Sequence, residues 1–262
     1  MRIVWATDIH FDMAEPAAIQ RFFREAKAAA PDAFLLAGDI SMASDADMTV
    51  DWIANELDCP LFFVLGNHDY YGGSIGTVRQ RMRALTVRSE TVKWLPAVPG
   101  VVALGPTALV GHDGWYDGGC GDPLSTLRLR DFDEIDDLVG LHREARERLT
   151  RWLAEDGASQ LAGQLAGSTA SSVLVVTHVP PFQDASRCRG ERSSNEALPF
   201  YCNTALGRVL TDFALDRPAV DVRVLCGHTH DRYDVDILPN LHISVGGAEY
   251  GSPAVAGVLE IG

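Results

Sequence analysis

Short, continuously apolar runs that each stop at an acid, amide or imidazole constrain this chain more than any other feature. The first three are Arg2–Thr7, Ala33–Ala37 and Leu61–Leu65, running into Asp8, Gly38-Asp39 and Gly66-Asn67. These polar residues recur at roughly thirty-residue intervals, the length of one strand–helix–strand unit. The intervening segments have helical periodicity. Residues 16–30 place Ile19, Phe22, Phe23 and Ala26 on one face, with Pro16 suited to a first turn, and residues 45–57 align Met48, Trp52 and Leu57. Apolar strands separated by helices are expected to be parallel and buried on both faces. Parallel strands release their loops at one sheet edge, so the three polar motifs are expected to converge there.

The remaining sequence extends the pattern. A helix is expected over 76–87 and a hairpin over 101–111 with its turn at Gly105-Pro106. A glycine-rich loop follows, Gly111–Gly119, and then an acidic run, Asp131–Asp137, which suits a solvated helix start. A long amphipathic helix over about 140–155 is expected to bury Leu141, Ala145, Leu149 and Trp152. Strands at 173–177 and 222–226 lead to His178 and His228, separated by an irregular segment (182–201) and a helix (204–215). Runs at 232–238, 241–245 and 254–261 suit antiparallel hairpins. No low-complexity linker divides the chain, so 1–262 is expected to be one domain with an α/β fold: two mixed β-sheets packed face to face and flanked by helices.

Composition narrows the function classes. Of 262 residues 47% are apolar, enough for a sizeable core, and 22 basic against 36 acidic residues give a net charge of -14. Such a surface repels nucleic acid and anionic lipid. No apolar run reaches the roughly 18 residues of a membrane span. Met1 leads directly into the first strand, leaving no room for a leader peptide, and a cytoplasmic location is expected. The five cysteines are widely spaced without a C-x-x-C pair, which suits reduced thiols; Cys226 is expected in a buried strand, and Cys188 and Cys202 pair only if their loop folds back.

Chemistry concentrates in five blocks: Asp8-Ile9-His10, Gly38-Asp39, Gly66-Asn67-His68-Asp69, Thr177-His178 and Gly227-His228-Thr229-His230. Asp, Asn and His together form a ligand set for hard-to-borderline divalent ions. Asp8-x-His10 puts two donors on one side of an extended strand end, because side chains alternate. Seven donors exceed the needs of one ion and suit two that share a carboxylate.

In order and type, these blocks resemble the calcineurin-like metallophosphoesterase superfamily, whose pattern is D-x-H, G-D, G-N-H-[DE], a single H and G-H-x-H. The resemblance runs from residue 8 to 230 without a substitution at a ligand position. It implies one ion on Asp8, His10, Asp39 and His230, and a second on Asp39, Asn67, His178 and His228, with Asp39 bridging at a metal separation of about 3.5–4 Å. Mixed N/O donors suit Mn, Fe or Zn, with Co or Ni also accommodated. The resemblance implies hydrolysis by in-line attack of an activated water on phosphorus. It makes His68 the group that contacts phosphate or protonates the leaving oxygen, and Asp69 the group that orients His68. A small phosphodiester or phosphomonoester is the expected substrate, with the diester ahead.

Other residues admit two readings. His112 and Trp115 either wall the substrate pocket or belong to a packed aromatic turn. Arg128 and Arg130, or Arg187, Arg189 and Arg192 with Asn195, either bind the far part of a phosphorylated substrate or pair with surface acids. His142 is expected in solvent, and His242 as a core or surface residue. A nuclease would need a basic track, for which Arg79, Arg81, Arg83, Arg88 and Lys93 are the candidates. A non-catalytic scaffold is the third reading, opposed by the complete ligand set and His68.

Overall fold

The computed structural model describes residues 1–262. The first three expected strands form, β1 (Arg2–Ala6), β2 (Ala33–Ala37) and β3 (Leu61–Val64), followed by a short strand the sequence did not suggest, β4 (Val92–Trp94); they are connected by α1 (Pro16–Ala28), α2 (Ala46–Leu57) and α3 (Ile75–Arg88). Then follow β5 (Val102–Leu104), β6 (Thr107–Gly111), a single turn α4 (Asp131–Glu134), the long α5 (Arg143–Ala166) and β7 (Ser172–Val176). The chain closes with the two-residue strands β8 (Arg187–Cys188) and β9 (Glu191–Arg192), then α6 (Thr204–Asp216), β10 (Asp221–Cys226), β11 (Tyr233–Leu238), β12 (Leu241–Val245) and β13 (Gly257–Glu260).

Two mixed sheets result, ordered β13-β1-β2-β3-β4 and β11-β12-β10-β7-β6-β5. Strands β1 to β4 are mutually parallel, as are β6, β7, β10 and β12. Strand alternation divides the core. Ile3, Trp5, Leu35, Phe62 and Val64 meet Leu104, Leu109, Leu174, Val176 and Leu225 between the sheets. Their neighbours Val4, Phe34, Leu36 and Phe63, and likewise Val110, Val173, Val175 and Val224, belong to the larger helix-covered core. The central strands of both sheets are apolar on both faces because both faces are covered, while the edge strands β11 and β13 keep exposed residues.

Three expectations need correction. Of the closing strands, β11 and β12 do form a hairpin, but β12 runs parallel to β10, and β13 crosses to the other sheet to pair antiparallel with β1. Helix α2 buries Ala46, Val50, Ile53, Ala54 and Leu57, leaving Met48 and Trp52 largely exposed. Helix α5 starts and ends later than expected and buries Leu153, Ala154, Gly157, Ala158, Leu161 and Leu165, while Trp152 faces solvent. In both helices the contact face mixes branched aliphatic residues with small ones, while Met48 and Trp152, prominent in the apolar pattern, sit off it. A Cβ on Gly157 would lie 2.5 Å from His112 Nδ1.

The cysteines are all free, with Cys188 exposed and Cys226 buried as expected. His242 is a half-buried surface residue between Asp236 (2.6 Å) and Asp221 (3.3 Å). No helix is long and apolar enough to cross a membrane.

Two glycines of α5 separate packing from propensity. Gly157→Ala should destabilise by about 1–3 kcal/mol through the clash with His112. Gly163→Ala, with open space around its Cβ position, should stabilise by about 0.4–1 kcal/mol. Urea unfolding of the two variants checks the opposite signs.

Candidate active site

All five polar blocks lie at the carboxyl ends of parallel strands, β1, β2 and β3 from one sheet and β7 and β10 from the other. The blocks are tied together by backbone bonds: Asp8 N–H to Gly38 C=O (3.0 Å), His10 N–H to Asp39 C=O (3.1 Å) and Gly227 N–H to His178 C=O (2.9 Å). The convergence does not come from strand alternation. Asp8, His10, Asp39, His228 and His230 all have left-handed backbones, with φ between 39° and 69°. Each such non-glycine residue costs about 1–2 kcal/mol and persists only where its surroundings enforce it. The left-handed turns bend the chain back so that Asp8 and His10 face one point, while His228 and His230 are turned to different donors, His228 toward Asn67 and His178 and His230 toward Asp8 and His10. A Cβ on Gly66 or Gly227 would run into Asp39 or Asp8, so both positions demand glycine.

The seven donors fall into two groups around Asp39. Asp8, His10, Asp39 and His230 bring one ligand atom each within 4.8 Å of one another. Within this group His10 Nε2 and His230 Nε2 are 3.4 Å apart and His230 Nε2 is 3.3 Å from Asp8 Oδ1. In the second group Asn67 Oδ1 lies 3.2 Å from His178 Nε2 and 3.1 Å from His228 Nδ1, which are themselves 3.2 Å apart. Asp39 joins them: Oδ2 is 3.8 Å from His10 Nε2 and Oδ1 is 3.4 Å from His178 Nε2.

Hydrogen bonds on the far side of each donor fix what faces inward. His178 Nδ1 donates to the Ala37 carbonyl (2.8 Å), and His228 Nε2 donates to the Phe200 carbonyl (2.9 Å). Asn67 Nδ2 donates to Asp131 Oδ1 (2.8 Å), which turns Oδ1 of the amide toward the two imidazoles. With His178 neutral, three acceptor positions converge at about hydrogen-bond distance and demand a positive centre. Without an ion that centre is a proton on His178 itself: burial disfavours its charge, yet the Asp39 and Asp8 carboxylates, with hydrogen bonds to Asp39 and Ala37, outweigh burial and raise it to about 10. Burial and the charge on His178 push His228 down to about 4. Burial likewise pushes His10 down to about 4, leaving it neutral. Burial also opposes ionisation of Asp39, but His178, His68 and His10 hold it well below the usual carboxylate range. This donor set fits divalent metal ions.

Three acids hold the frame, and sequence reasoning misplaced or missed each. Asp69 does not orient His68: it accepts the backbone N–H groups of Ile40, Ser41 and Gly66, clamping two ligand loops together. The ring of His68 instead stacks on Tyr71, 4.2 Å between centroids, with Nε2 4.0 Å from Asp39 Oδ2. Asp131 is buried rather than solvated and accepts from Asn67, Tyr71 (2.7 Å) and Tyr116 (2.9 Å). Asp113 accepts from Leu65 N–H, Trp94 Nε1, Tyr70 Oη and Arg79 Nη2. A run of exposed-looking acids gave no signal for Asp131, since its partners lie 15 to 64 residues away.

The expected substrate residues do not line the metal cleft. His112 and Trp115 are each 2% exposed. His112 accepts from Gly114 N–H and is pushed down to about 4 by burial, and Trp115 packs on Tyr70 and Tyr116. The packed-turn reading holds for both, because their loop fills the space between sheet and helix. Arg189 is exposed at the β8–β9 turn, which Gly190 N–H ties to Asp231 just beyond His230. Two tyrosines that the sequence did not single out flank the donors. Tyr250 lies 4.7 Å from His10 and 4.9 Å from His230, and Tyr201 lies 4.8 Å from His228.

Most of the basic track is already engaged, Arg88 alone standing exposed without a partner. Arg79 pairs with buried Asp113 at 3.3 Å, Arg81 with Asp47 at 3.3 Å, Arg83 covers Trp94, and Lys93 donates to the Thr86 and Ser89 carbonyls. Arg128 pairs with Asp133, Arg130 with Glu134, and Arg187 covers the Tyr233 ring.

The calcineurin-like phosphoesterase family model matches residues 1–232, most of the chain and all five blocks. The chain belongs to the calcineurin-like phosphoesterase family. Membership implies a hydrolase of phosphate esters with a dinuclear metal centre, for which Asp8, His10, Asp39 and His230 form one candidate site. Among solved structures, the phosphopantetheinyl hydrolase from Mycobacterium tuberculosis is similar in fold, with a TM-score of 0.66, 13% identity and coverage of 97% of this chain and 94% of its own. The protein TT1561 of Thermus thermophilus has a TM-score of 0.53, 15% identity and coverage of 94% and 88% respectively. A dimetal phosphatase from Danio rerio has a TM-score of 0.52 with 14% identity and coverage of 98% and 91%. No curated protein matches the sequence.

Asp131→Ala should free the Asn67 amide to rotate and lower the affinity for one metal ion by about 10- to 100-fold. Chelator-competition titration reads this directly. A purely structural role would lower the melting temperature and leave affinity unchanged.

Proposed function

We propose that this protein hydrolyses small phosphodiesters through two metal ions held by the seven converging donors, Asp39 bridging. The observation that carries this reading is the pocket of Asn67, His178 and His228, whose outward hydrogen bonds leave three acceptors facing one another beside Asp39. When bound, the two ions, drawn from Mn, Fe, Zn, Co or Ni, lower the pKa of water and stabilise charge on the phosphoryl oxygens.

The chain's own residues do the rest. Asp39 fixes the spacing of the two donor groups. His68 is buried beside His10 and Asp39, held by its stack on Tyr71, and contacts the phosphoryl group or passes a proton to the leaving oxygen. An imidazole suits this because its ordinary pKa lies near neutrality. Tyr201 and Tyr250 provide aromatic surface at the two ends of the donor cluster. Such walls accommodate substituents on both sides of phosphorus, which favours a diester over a monoester dianion in a chain of charge -14. The five free cysteines suit a reducing, cytoplasmic setting. The pairing of β13 with β1 supports treating 1–262 as one domain. Engagement of four of the five candidate basic residues, Arg79, Arg81, Arg83 and Lys93, in internal contacts weighs against a nuclease.

Protein stripped of metal and reloaded with Mn²⁺ should cleave bis-p-nitrophenyl phosphate faster than p-nitrophenyl phosphate, and Asp39→Asn should abolish both. His68→Ala should retain two metal ions by elemental analysis while turnover falls by about 10²- to 10⁴-fold. Faster monoester cleavage would make the protein a phosphatase. Loss of metal from His68→Ala would count against its assigned role.

A further inference from the structure

Behind the metal-ligand loops lies a second cavity, of about 260 Å³, beside α5 and α4. Its lining is unusual for this chain. Although the net charge is -14, four arginines line the cavity: Arg128, Arg143, Arg146 and Arg151. Arg128 and Arg143 are neutralised by Asp133 and Glu147. Arg146 and Arg151 have no ion-pair partner. The guanidinium of Arg146 lies 4.3 Å over the Phe132 ring, its Nη1 donating to the Leu141 carbonyl. Two acids on the same wall, Asp117 and Asp122, match these two arginines in formal charge, but their carboxylates face neutral donors rather than the guanidinium groups. Asp117 accepts from Thr204, Ala205 N–H and Gly119 N–H, and Asp122 from Leu124 N–H.

One part of the wall is aromatic. Phe132 meets Phe200 edge-on at 6.0 Å, and Phe200 meets Tyr116 at 5.8 Å. Unpaired guanidinium groups beside aromatic rings match a flat apolar body carrying one anionic group. Two wall residues also reach the candidate metal donors. The Phe200 carbonyl accepts from His228 Nε2, and Tyr116 Oη donates to the Asp131 carboxylate that fixes Asn67. An occupant that shifts Phe200 or Tyr116 acts on two donors of the same pocket.

We infer that this cavity binds a small amphipathic organic anion, a carboxylate, sulfonate or phosphate on a flat apolar body, and that its occupancy is linked to metal loading at Asn67, His178 and His228. The linkage rests on the metal reading above; the binding does not.

The test uses naphthalene-1-sulfonate as the probe, followed by fluorescence anisotropy and calorimetry on the metal-stripped full chain, with neutral naphthalene-1-sulfonamide as the charge control. The expected result is saturable binding at one site per chain. Affinity should fall at least about tenfold for the sulfonamide and in the Arg146→Met, Arg151→Met double variant, each lost charged hydrogen bond supplying such a factor. Thr126→Trp fills the cavity from its exposed rim and should block binding without removing a charge, its circular dichroism spectrum confirming the fold. Binding that is unsaturable, or indifferent to both variants, overturns the site. Mn²⁺ loading should then change probe affinity by about fivefold or more, since coupled sites bias each other reciprocally. Equal affinity with and without Mn²⁺ overturns the linkage, and phosphoester turnover enters neither arm.

Discussion

A buried carboxylate, Asp39, faces imidazoles from three other segments, and the molecule is organised around satisfying it. His178 comes from the second sheet, His10 from the turn after β1 and His68 from the loop after β3. Burying so many donors is unfavourable unless each has a partner or a cation. The protein meets this demand by arranging two sheets so that five parallel strands end at one place. It then bends five donor residues into left-handed turns that their side chains would not otherwise adopt. The strain is local, and the apolar layers between and outside the sheets hold it in place.

Outside the donors lies a set of acids that works on backbone and side-chain geometry. Asp113, on the loop after β6, accepts from Leu65 at the end of β3 and so links the two sheets beside the cleft. Asp69 joins the loops after β2 and β3. Asp131 reaches Asn67 from the single turn of α4, and through Tyr116 reaches the wall of the second cavity. These carboxylates convert a flexible sheet edge into a fixed array. They also explain how an acidic chain spends part of its negative charge internally.

The donors were legible in the sequence because strand ends impose both position and spacing: Asp8, Asp39 and Asn67 recur with the βαβ repeat, and His178 and His228 follow equally apolar runs. The supporting acids were not legible, because their partners are backbone N–H groups or residues tens of positions away. Asp131 sits in a run of acids whose other members, such as Asp133, do face solvent. The buried face of α5 was misassigned because apolarity drew attention to Trp152, whereas close packing selected Gly157 and Ala158. His112 and Trp115 lie on a loop rich in turn residues, which suits a pocket wall and a packed aromatic turn alike; its aromatic side chains complete the core. Tyr250 carried no signal at all, since its place beside His10 depends on the path of the chain after β12.

The proposed function requires Asp39 to be shared by two cations. Electron paramagnetic resonance of Mn²⁺-loaded protein, with metal content measured on the same sample, tests it most directly. Two manganese ions per chain with an exchange-coupled spectrum is the predicted result, the coupling collapsing in Asp39→Asn. One ion per chain, or two with the spectrum of isolated Mn²⁺, would contradict the account.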